Sequence, residues 1–476
     1  MNIKVFECLN EKYLFDVNRN RVIRVSNDTY RELLKNENKE TDYKSEEIAR
    51  LRSLGYLSDK RPEKIEHPST QFVEDILNNN LQKLCLQVTQ NCNFRCKYCV
   101  YSGDYENRGH SNKVMSWETA KRSIDFMIEH SKNSESMNVG FYGGEPLLHF
   151  DLIKKCMEYL EERVQGKELT YNMTTNASLL SETIVEEILK RTFKLTISID
   201  GPKEIQDRNR VLAGGKGTYD IVYNNIKTLC EKYSGLKSII NYSMVFDQRY
   251  EFSKIEDFVA NEDTLFDGTQ IMGNLVNDNY KKGKTKWSDQ FAEEWEYSKF
   301  KYMLFLLGRL SAKYNSKIMR HSYMGLIDII KNTRKEFPDL KETDHPSGQC
   351  VPGDVRLFIS VDGDFLPCEK VSETSNVMNI GNINAGFDFD KIRYILNVGK
   401  ITEEECKNCF VFRNCEVCAS MCDSGDKNNE LSKSMKMAKC KEEKYKFLTQ
   451  LRTLIVLKKY GFNIDKFLYD TTYNNV

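Results

Sequence analysis

Much that would classify a protein at a glance is missing from this chain. Its 70 basic and 70 acidic side chains cancel over 476 residues, so no charge excess points to nucleic acid or another polyanion as partner. No apolar run approaches the roughly 20 residues of a membrane-spanning helix, so the expectation is no membrane. The opening stretch, Met1-Asn2-Ile3-Lys4-Val5-Phe6-Glu7, shows neither the apolar core nor the cleavage site of a signal peptide, and a cytoplasmic protein is expected. Proline is scarce, at 8 residues; with abundant Lys and Asn this reports coding bias more than mechanism. The 6 histidines gather in no motif, and no residue presents itself as a catalytic acid or base, so the catalytic residues stay unknown at this stage. There is no internal repeat. What the chain does have is 15 cysteines. In a cytosolic chain these point to metal rather than to disulfides.

The length suggests about three domains at ~100–200 residues each. Residues 1–63 read as a small module: strands at Lys4–Cys8, Tyr13–Val17 and Arg21–Val25, a helix from Ser26 or Asp28, a second helix from near Ser45 stopped by Gly55, and a returning strand at Tyr56-Leu57. Strands, two amphipathic helices and a wing spell a winged helix-turn-helix. Lys60-Arg61-Pro62-Glu63-Lys64 is a polar linker.

Over residues 80–280 strands and helices alternate. The strands are expected at Leu84–Thr89, Asn138–Tyr142, Thr170–Thr174, Leu195–Asp200 and Ile239–Val245, with a weaker sixth near Thr269–Met272. The helices fall at Trp117–His130 with Ser116 as N-cap, Leu152–Val164, Glu182–Lys190 and Tyr219–Tyr233. Consecutive βα units imply parallel strands with outer helices, as an open sheet or partial (β/α)6 barrel, and place ligands at the strand C-terminal ends. Residues 281–345 read as a charged helical bridge, residues 346–445 as a cysteine-rich domain of short strands and turns, and residues 446–476 as a helical tail.

Four constellations carry chemistry. Cys92-Asn93-Phe94-Arg95-Cys96-Lys97-Tyr98-Cys99 follows the first barrel strand. Three thiolates on one tight loop can hold three irons of a four-iron, four-sulfur cube and leave the fourth iron open for a ligand. The alternatives are a three-cysteine zinc site completed elsewhere, although structural zinc usually pairs two CxxC hooks, or buried free thiols. Tyr142-Gly143-Gly144-Glu145-Pro146 ends the second strand, where glycines let backbone approach a ligand and a carboxylate can accept from an ammonium. Ser198-Ile199-Asp200-Gly201-Pro202 follows the fourth strand, with Arg210 and Gly214-Gly215-Lys216-Gly217-Thr218 beyond it; Thr174-Thr175-Asn176 ends the third. Asn241 and Ser243 on the fifth strand are weaker candidates, and a surface ion pair is the other reading of Arg210. Last come eight further cysteines: Cys350 and Cys368 around Gly363, then Cys406, Cys409, Cys415, Cys418, Cys422 and Cys440. They are enough for two more four-iron clusters, and CxxC pairs serve zinc equally well. Cys8, Cys85, Cys156 and Cys230 stand singly and read as core thiols.

The CxxxCxxC loop with Tyr98 before its last cysteine resembles the hallmark of the radical S-adenosylmethionine (SAM) superfamily. Tyr142–Pro146 is similar to that family's GGEP motif. The resemblance implies a [4Fe–4S] cluster on Cys92, Cys96 and Cys99 whose open iron chelates SAM. It also implies that electron transfer to SAM releases a 5′-deoxyadenosyl radical. SAM contacts are then expected from Tyr98, Gly143, Gly144, Glu145, Pro146, Thr174, Asn176, Ser198, Asp200 and Arg210. The family usually has Gly where this chain has Ala177. The C-terminal cysteines resemble the SPASM domain of peptide-modifying radical SAM enzymes, with a departure at Cys415 and Cys418. The implied partition is Cys350, Cys368, Cys418 and Cys422 to one auxiliary [4Fe–4S] cluster, and Cys406, Cys409, Cys415 and Cys440 to the other, three clusters in all. Residues 1–63 resemble the leader-peptide recognition element of ribosomal-peptide maturases. Together these resemblances imply an enzyme that installs thioether crosslinks (Cys sulfur to carbon) in a cysteine-rich precursor peptide, fed by a flavodoxin- or ferredoxin-type donor. An anaerobic sulfatase maturase, a carbon–carbon peptide crosslinker and a non-catalytic metal-bound peptide scaffold are the alternatives.

Overall fold

The computed structural model describes residues 2–36, 44–105, 107–425 and 429–465; the end of the expected tail, residues 466–476, lies outside them. Strands β1 (Ile3–Cys8), β2 (Glu11–Asp16) and β3 (Arg21–Val25) form an antiparallel sheet in that order. Leu9 and Asn10 take φ of 51° and 62° between β1 and β2, the positive values a tight hairpin turn requires. Alternation along the strands gives the sheet two apolar faces. Val5, Leu14 and Val25 pack on Leu33, Ile48 and Leu51 of the helices Asn27–Asn36 and Glu46–Ser53. Phe6, Tyr13 and Phe15 pack on Phe447, Leu451 and Leu454 of the long helix Lys433–Lys459. The N-terminal sheet is therefore clamped against the C-terminal helix. No strand forms at Tyr56-Leu57. Leu57 takes φ of 61° and its N–H donates to Asp16 Oδ2 at 2.7 Å, so a side chain uses the amide that a strand ladder would have needed. A two-residue strand, Lys64–Ile65 (β4), ends the linker.

Six parallel strands follow: β5 (Lys83–Thr89), β6 (Ser136–Gly143), β7 (Glu168–Thr175), β8 (Phe193–Ser198), β9 (Ile240–Phe246) and β10 (Gln270–Leu275). Each expected strand is present within a few residues. One face is apolar and covered by helices: Tyr171, Met173, Leu195, Ile197, Tyr242 and Met244 are buried on it. The other face carries Asn138, Asn172, Thr174, Thr196, Ser198, Asn241 and Ser243, which are only half-buried. Parallel strands buried on both faces read as continuous apolar runs; the alternation here marks the inner face as one that meets ligand. Helix Trp117–His130 starts at Ser116, whose Oγ accepts from Thr119 N–H at 3.0 Å.

The bridge is helical as expected, at Asp289–Leu306, Lys317–Ser322 and Met324–Arg334. Thr343–Asp344 (β11) then pairs with β4. Leu357–Ile359 (β12) pairs in parallel with β5, Leu357 opposite Leu84 and Ile359 opposite Leu86. Asp364–Leu366 (β13), Gly381–Asn382 (β14) and Gly386–Phe387 (β15) add antiparallel strands. The result is one 10-stranded sheet in the order β10-β9-β8-β7-β6-β5-β12-β13-β14-β15. Helix Lys433–Lys459 runs through the expected domain boundary at residue 445 without a break. Among the described residues no helix is long and apolar enough to cross a membrane.

Candidate functional site

The loop after β5 is fixed by main-chain bonds on two sides. On one side Gly144 N–H donates to Thr89 O and Glu145 N–H to Asn91 O, each at 2.8 Å. On the other, Arg95 and Lys97 N–H donate to Val211 O and Asn209 O, and Asn93 O accepts from Ala213 N–H. The glycine requirement at Gly143-Gly144 follows directly. A Cβ on Gly143 would stand 2.2 Å from Thr89 O, and one on Gly144 would stand 2.0 Å from Asn91 O. The atoms crowded are those of the end of β5 and of the chain leading into the cysteine loop.

Within the loop, sulfurs face N–H donors. Phe94 N–H donates to Cys92 Sγ at 3.3 Å and Tyr101 N–H to Cys99 Sγ at 3.5 Å; Asn176 Nδ2 reaches Cys92 Sγ at 3.9 Å. Burial pushes the Cys92 thiol up to about 11 and the Cys96 thiol to about 12, so metal binding here has to displace protons. Among the described residues no three His, Cys, Asp or Glu side chains converge on a single ion. A four-iron cube spaces its ligands around a polynuclear core, and N–H donors toward its sulfurs are the groups that tune it.

Beneath the loop lies a buried polar network. Tyr98 OH donates to Asp200 Oδ2 and accepts from Arg210 Nη1 at 2.9 Å; Asp200 Oδ1 accepts from Val245 N–H at 3.1 Å. Asp200 and Arg210 are 2% and 6% exposed, which rules out the surface ion pair. Burial opposes the Arg210 charge, but Tyr98, Cys96 and Asp200 outweigh it and its pKa rises. Its Nε has no hydrogen-bond partner. A buried guanidinium with an unused N–H is a fitting partner for a carboxylate, and SAM supplies one.

Glu145 is held by the protein itself. Its Oε1 accepts from Leu147 N–H at 3.1 Å and Thr175 Oγ1 at 2.6 Å, and its Oε2 from Asn176 N–H at 2.8 Å, at 1% exposure. The carboxylate ties β6 to β7. Pro146 is buried at the first position of a short 3-10 turn, Pro146–His149. Asn176 braces the cysteine loop through Asn93 Oδ1 at 2.9 Å. Thr174 and Ser198 are half-buried on the inner face, Ser198 in register with Ser243. Ala177 is fully buried with φ of 58°, a left-handed turn made here without glycine.

Seven of the eight C-terminal thiols fall into two groups, and the eighth, Cys422, lies between them. Cys406, Cys409, Cys415 and Cys440 line one cavity with His345, Glu405, Lys436 and Lys444. Cys350, Cys368 and Cys418 lie within electrostatic reach of one another. Cys422 is fully buried and feels both Cys418 and Cys440. Burial raises Cys368 to about 11 and Cys415 and Cys422 to about 12. Of the single cysteines, Cys8, Cys85 and Cys156 are buried and Cys230 half-buried.

Sequence reasoning missed a second network, which joins the cysteine loop to the C-terminal domain. Glu373 accepts from Gln87 Nε2 at 2.6 Å, Tyr101 OH at 3.2 Å and Gln90 Nε2 at 3.1 Å, and pairs with Arg108 Nε at 3.0 Å. Arg108 Nη2 donates to Glu369 O and Val371 O, just past Cys368, at 2.8 Å each. A signal was present: Gln87 interrupts the apolar run Leu84–Val88, and a polar side chain inside a buried strand needs a partner.

Residues 86–258 match the family profile described as the radical SAM superfamily. The cysteine-type anaerobic sulfatase-maturating enzyme of Clostridium perfringens is 24% identical over 363 residues, 74% of this chain and 92% of that protein. The radical SAM cyclopropyl synthase TigE of Paramaledivibacter caminithermalis is 25% identical over 210 residues, 41% of this chain and 42% of that one. An uncharacterized protein of Methanocaldococcus jannaschii reaches 38% identity over 138 residues, 29% of this chain and 45% of its own length. The chain thus spans about half the length of some curated relatives, such as this archaeal protein and the Clostridium novyi sulfatase-maturating enzyme at 49%. Among solved structures, native anSMEcpe with bound AdoMet matches with a TM-score of 0.56 at 22% identity, over 78% of this chain and 98% of that one; at that identity the likeness shows the fold. Over residues 86–258, then, the chain carries a radical SAM region, and SAM with a [4Fe–4S] cluster is what that kind of region takes.

Proposed function

We propose that the chain installs thioether crosslinks in a ribosomally made, cysteine-rich precursor peptide. The observation that carries the reading is the pair of thiol sets at Cys350–Cys440, beyond the loop that defines the superfamily. When bound, the [4Fe–4S] cluster and SAM supply a 5′-deoxyadenosyl radical by one-electron reductive cleavage. Cys92, Cys96 and Cys99 would hold that cluster. Arg210, oriented by Tyr98 and Asp200, would anchor the SAM carboxylate, and the half-buried Thr174 and Ser198 would face the nucleoside side of the same pocket. That radical would take one hydrogen atom from a substrate carbon. A cysteine sulfur then bonds to that carbon with loss of its proton and of one electron. That electron needs an acceptor, and the sets Cys350/Cys368/Cys418/Cys422 and Cys406/Cys409/Cys415/Cys440, as two auxiliary [4Fe–4S] sites, meet the need. A flavodoxin- or ferredoxin-type protein would return reducing equivalents to the loop site. The three-stranded N-terminal sheet offers β3 as an edge for an extended leader peptide.

The test is mass spectrometry of a leader-bearing, cysteine-rich peptide incubated with reconstituted enzyme, SAM and reductant. Loss of two hydrogens per crosslink alongside 5′-deoxyadenosine is expected. Because the N-terminal sheet shares a core with helix Lys433–Lys459, deleting residues 1–63 would uncover apolar surface. Arg24→Glu, on the exposed part of β3, is the sounder probe: it should reduce crosslinking at low peptide concentration and leave uncoupled SAM cleavage intact. The match to sulfatase-maturating enzymes along 92% of one such protein favours a second reading, conversion of a cysteine to formylglycine. An aldehyde on the product peptide, without a crosslink, would establish that reading in place of the first.

A further inference from the structure

Helix Lys433–Lys459 enters between the two thiol sets. The N–H of its N-cap, Ser432, donates to Cys422 O at 2.7 Å, and Cys440 lies two turns into the helix. Lys436 is four residues before Cys440, so both side chains share one helix face. Lys436 is 3% exposed. Its Nζ donates to Val398 O at 2.7 Å and reaches Cys406 Sγ at 3.7 Å. Thr402 Oγ1 adds a second polar contact to Cys406 Sγ, at 3.3 Å. A lysine is almost never fully buried unless something nearby compensates its charge. Around it here are the Val398 carbonyl, the Cys406 sulfur among the other sulfurs of its set, and Glu405 within electrostatic reach.

The charges around the two sets differ. About Cys350, Cys368, Cys418 and Cys422 stand Asp354, Glu369 and Asp423, with Arg356 paired to Glu369; Lys436 reaches Cys422 of this set electrostatically but touches none of its sulfurs. About Cys406, Cys409, Cys415 and Cys440 stand Lys436 and Lys444, with Glu405 and Glu443. Glu405 is paired with Lys433 at 3.4 Å. Of these groups, Lys436 is the one described in contact with a thiol sulfur. A fixed positive charge in a low-dielectric site favours the more negative, reduced form of whatever it touches, and net charge and hydrogen bonds to sulfur set iron–sulfur potentials.

We propose that Lys436 makes the Cys406/Cys409/Cys415/Cys440 site the more oxidising of the two auxiliary sites, so that an electron arriving from the barrel side comes to rest there. The inference rests on the reading of both thiol sets as [4Fe–4S] sites. The direction follows from placement. Cys368 lies within electrostatic reach of Cys85 on β5, and the carbonyl after it is bound by Arg108. The Cys350/Cys368 set is thus on the barrel side and the Lys436 set beyond it. Lys436 is a positioning residue in this account; it tunes a site and touches no substrate.

The experiment is an anaerobic redox titration of the reconstituted full chain, followed by electron paramagnetic resonance, with iron counted beforehand. Cys406→Ala with Cys409→Ala should remove one set of signals and so identify which midpoint belongs to this site. If that variant loses no iron, the assignment of the thiol sets fails first and takes this inference with it. With the assignment secure, Lys436→Gln, which keeps an N–H donor and removes the charge, should lower that midpoint by about 59 mV or more, tenfold in a one-electron equilibrium. Lys436→Arg should retain most of the wild-type value, and Lys441→Gln, an exposed site on the same helix, should move nothing. Midpoints in Lys436→Gln that shift no further than in Lys441→Gln would overturn the proposal. So would loss of this site's iron in both Lys436 variants, which would make Lys436 a strut and not a source of potential.

Discussion

The cysteine loop and the C-terminal thiols are assembled in opposite ways. Cys92, Cys96 and Cys99 lie within eight consecutive residues, and main-chain bonds to β6 on one side and to residues 209–213 on the other hold them. The C-terminal sets draw on turns, short helices and the long helix Lys433–Lys459, across 90 residues from Cys350 to Cys440. Backbone fixes the first site and packing fixes the second. The first should therefore be brittle to any added atom beside the loop, and the second sensitive to loss of the helix that closes it.

The largest contrast should come from removing thiols. Replacing Cys92, Cys96 and Cys99 with Ala should remove about four of about twelve irons, on [4Fe–4S] stoichiometry, and abolish SAM cleavage. Replacing Cys406 and Cys409 should also remove about four, yet leave 5′-deoxyadenosine production running without peptide modification. Iron analysis and chromatography of the nucleoside decide the matter; equal loss of SAM cleavage in both variants would erase the distinction between the sites.

Next in size is Arg210→Ala. Losing a charged hydrogen bond to SAM costs about 1.5–3 kcal/mol, roughly 10- to 150-fold in affinity. It also leaves Asp200 buried without its cation, at about 3–5 kcal/mol of stability. Arg210→Lys should recover the stability better than the SAM affinity, because an ammonium does not reproduce the guanidinium fork. Binding calorimetry beside thermal melts separates the two effects.

Gly144→Ala comes third. Its Cβ would meet Asn91 O at 2.0 Å, so the cysteine loop must shift, at about 1–3 kcal/mol as for other overpacked sites. Iron in the loop site should fall with auxiliary iron unchanged. A normal iron count with weakened SAM binding would favour the view that this glycine makes room for the ligand.

Ala177→Gly should do least, although it sits beside the same loop. Relief of the left-handed alanine is worth roughly 1–2 kcal/mol. The looser unfolded chain offsets about 0.5–1 of that, and the lost methyl about 0.8. A melting temperature that barely moves is the expected result. Set against Gly144→Ala, it shows that steric crossing of chains, and not the sign of φ, sets the sensitivity of this region.

What could be read from the sequence follows the same division. The parallel strands, the helix at Trp117–His130 and the cysteine loop rest on local period and spacing, and the structure has them within a few residues. Tyr98, Asp200 and Arg210 were singled out separately and are joined in one buried network. The partners of Glu145, Thr175 and Asn176, are set by the packing of β6 on β7 and leave no local trace. The strand at Tyr56-Leu57 was misread because an Asp16 carboxylate 41 residues away captures its amide. Glu373 and Arg108 escaped notice because the bond from Gln87 to Glu373 closes across 286 residues.

The pairing of β12 with β5 has a mechanical meaning. β5 leads into the Cys92 loop, and β12 lies between Cys350 and Cys368. Leu357 to Ile359 are laddered to Leu84 to Leu86 inside a sheet with further strands on either side. The gap between the loop and the first thiol set is thus gauged by hydrogen-bond register, as the jaws of a caliper are held by its beam. A hinge between the two halves would have to unzip a strand. The register thus holds the two thiol regions at one separation, whatever enters between them.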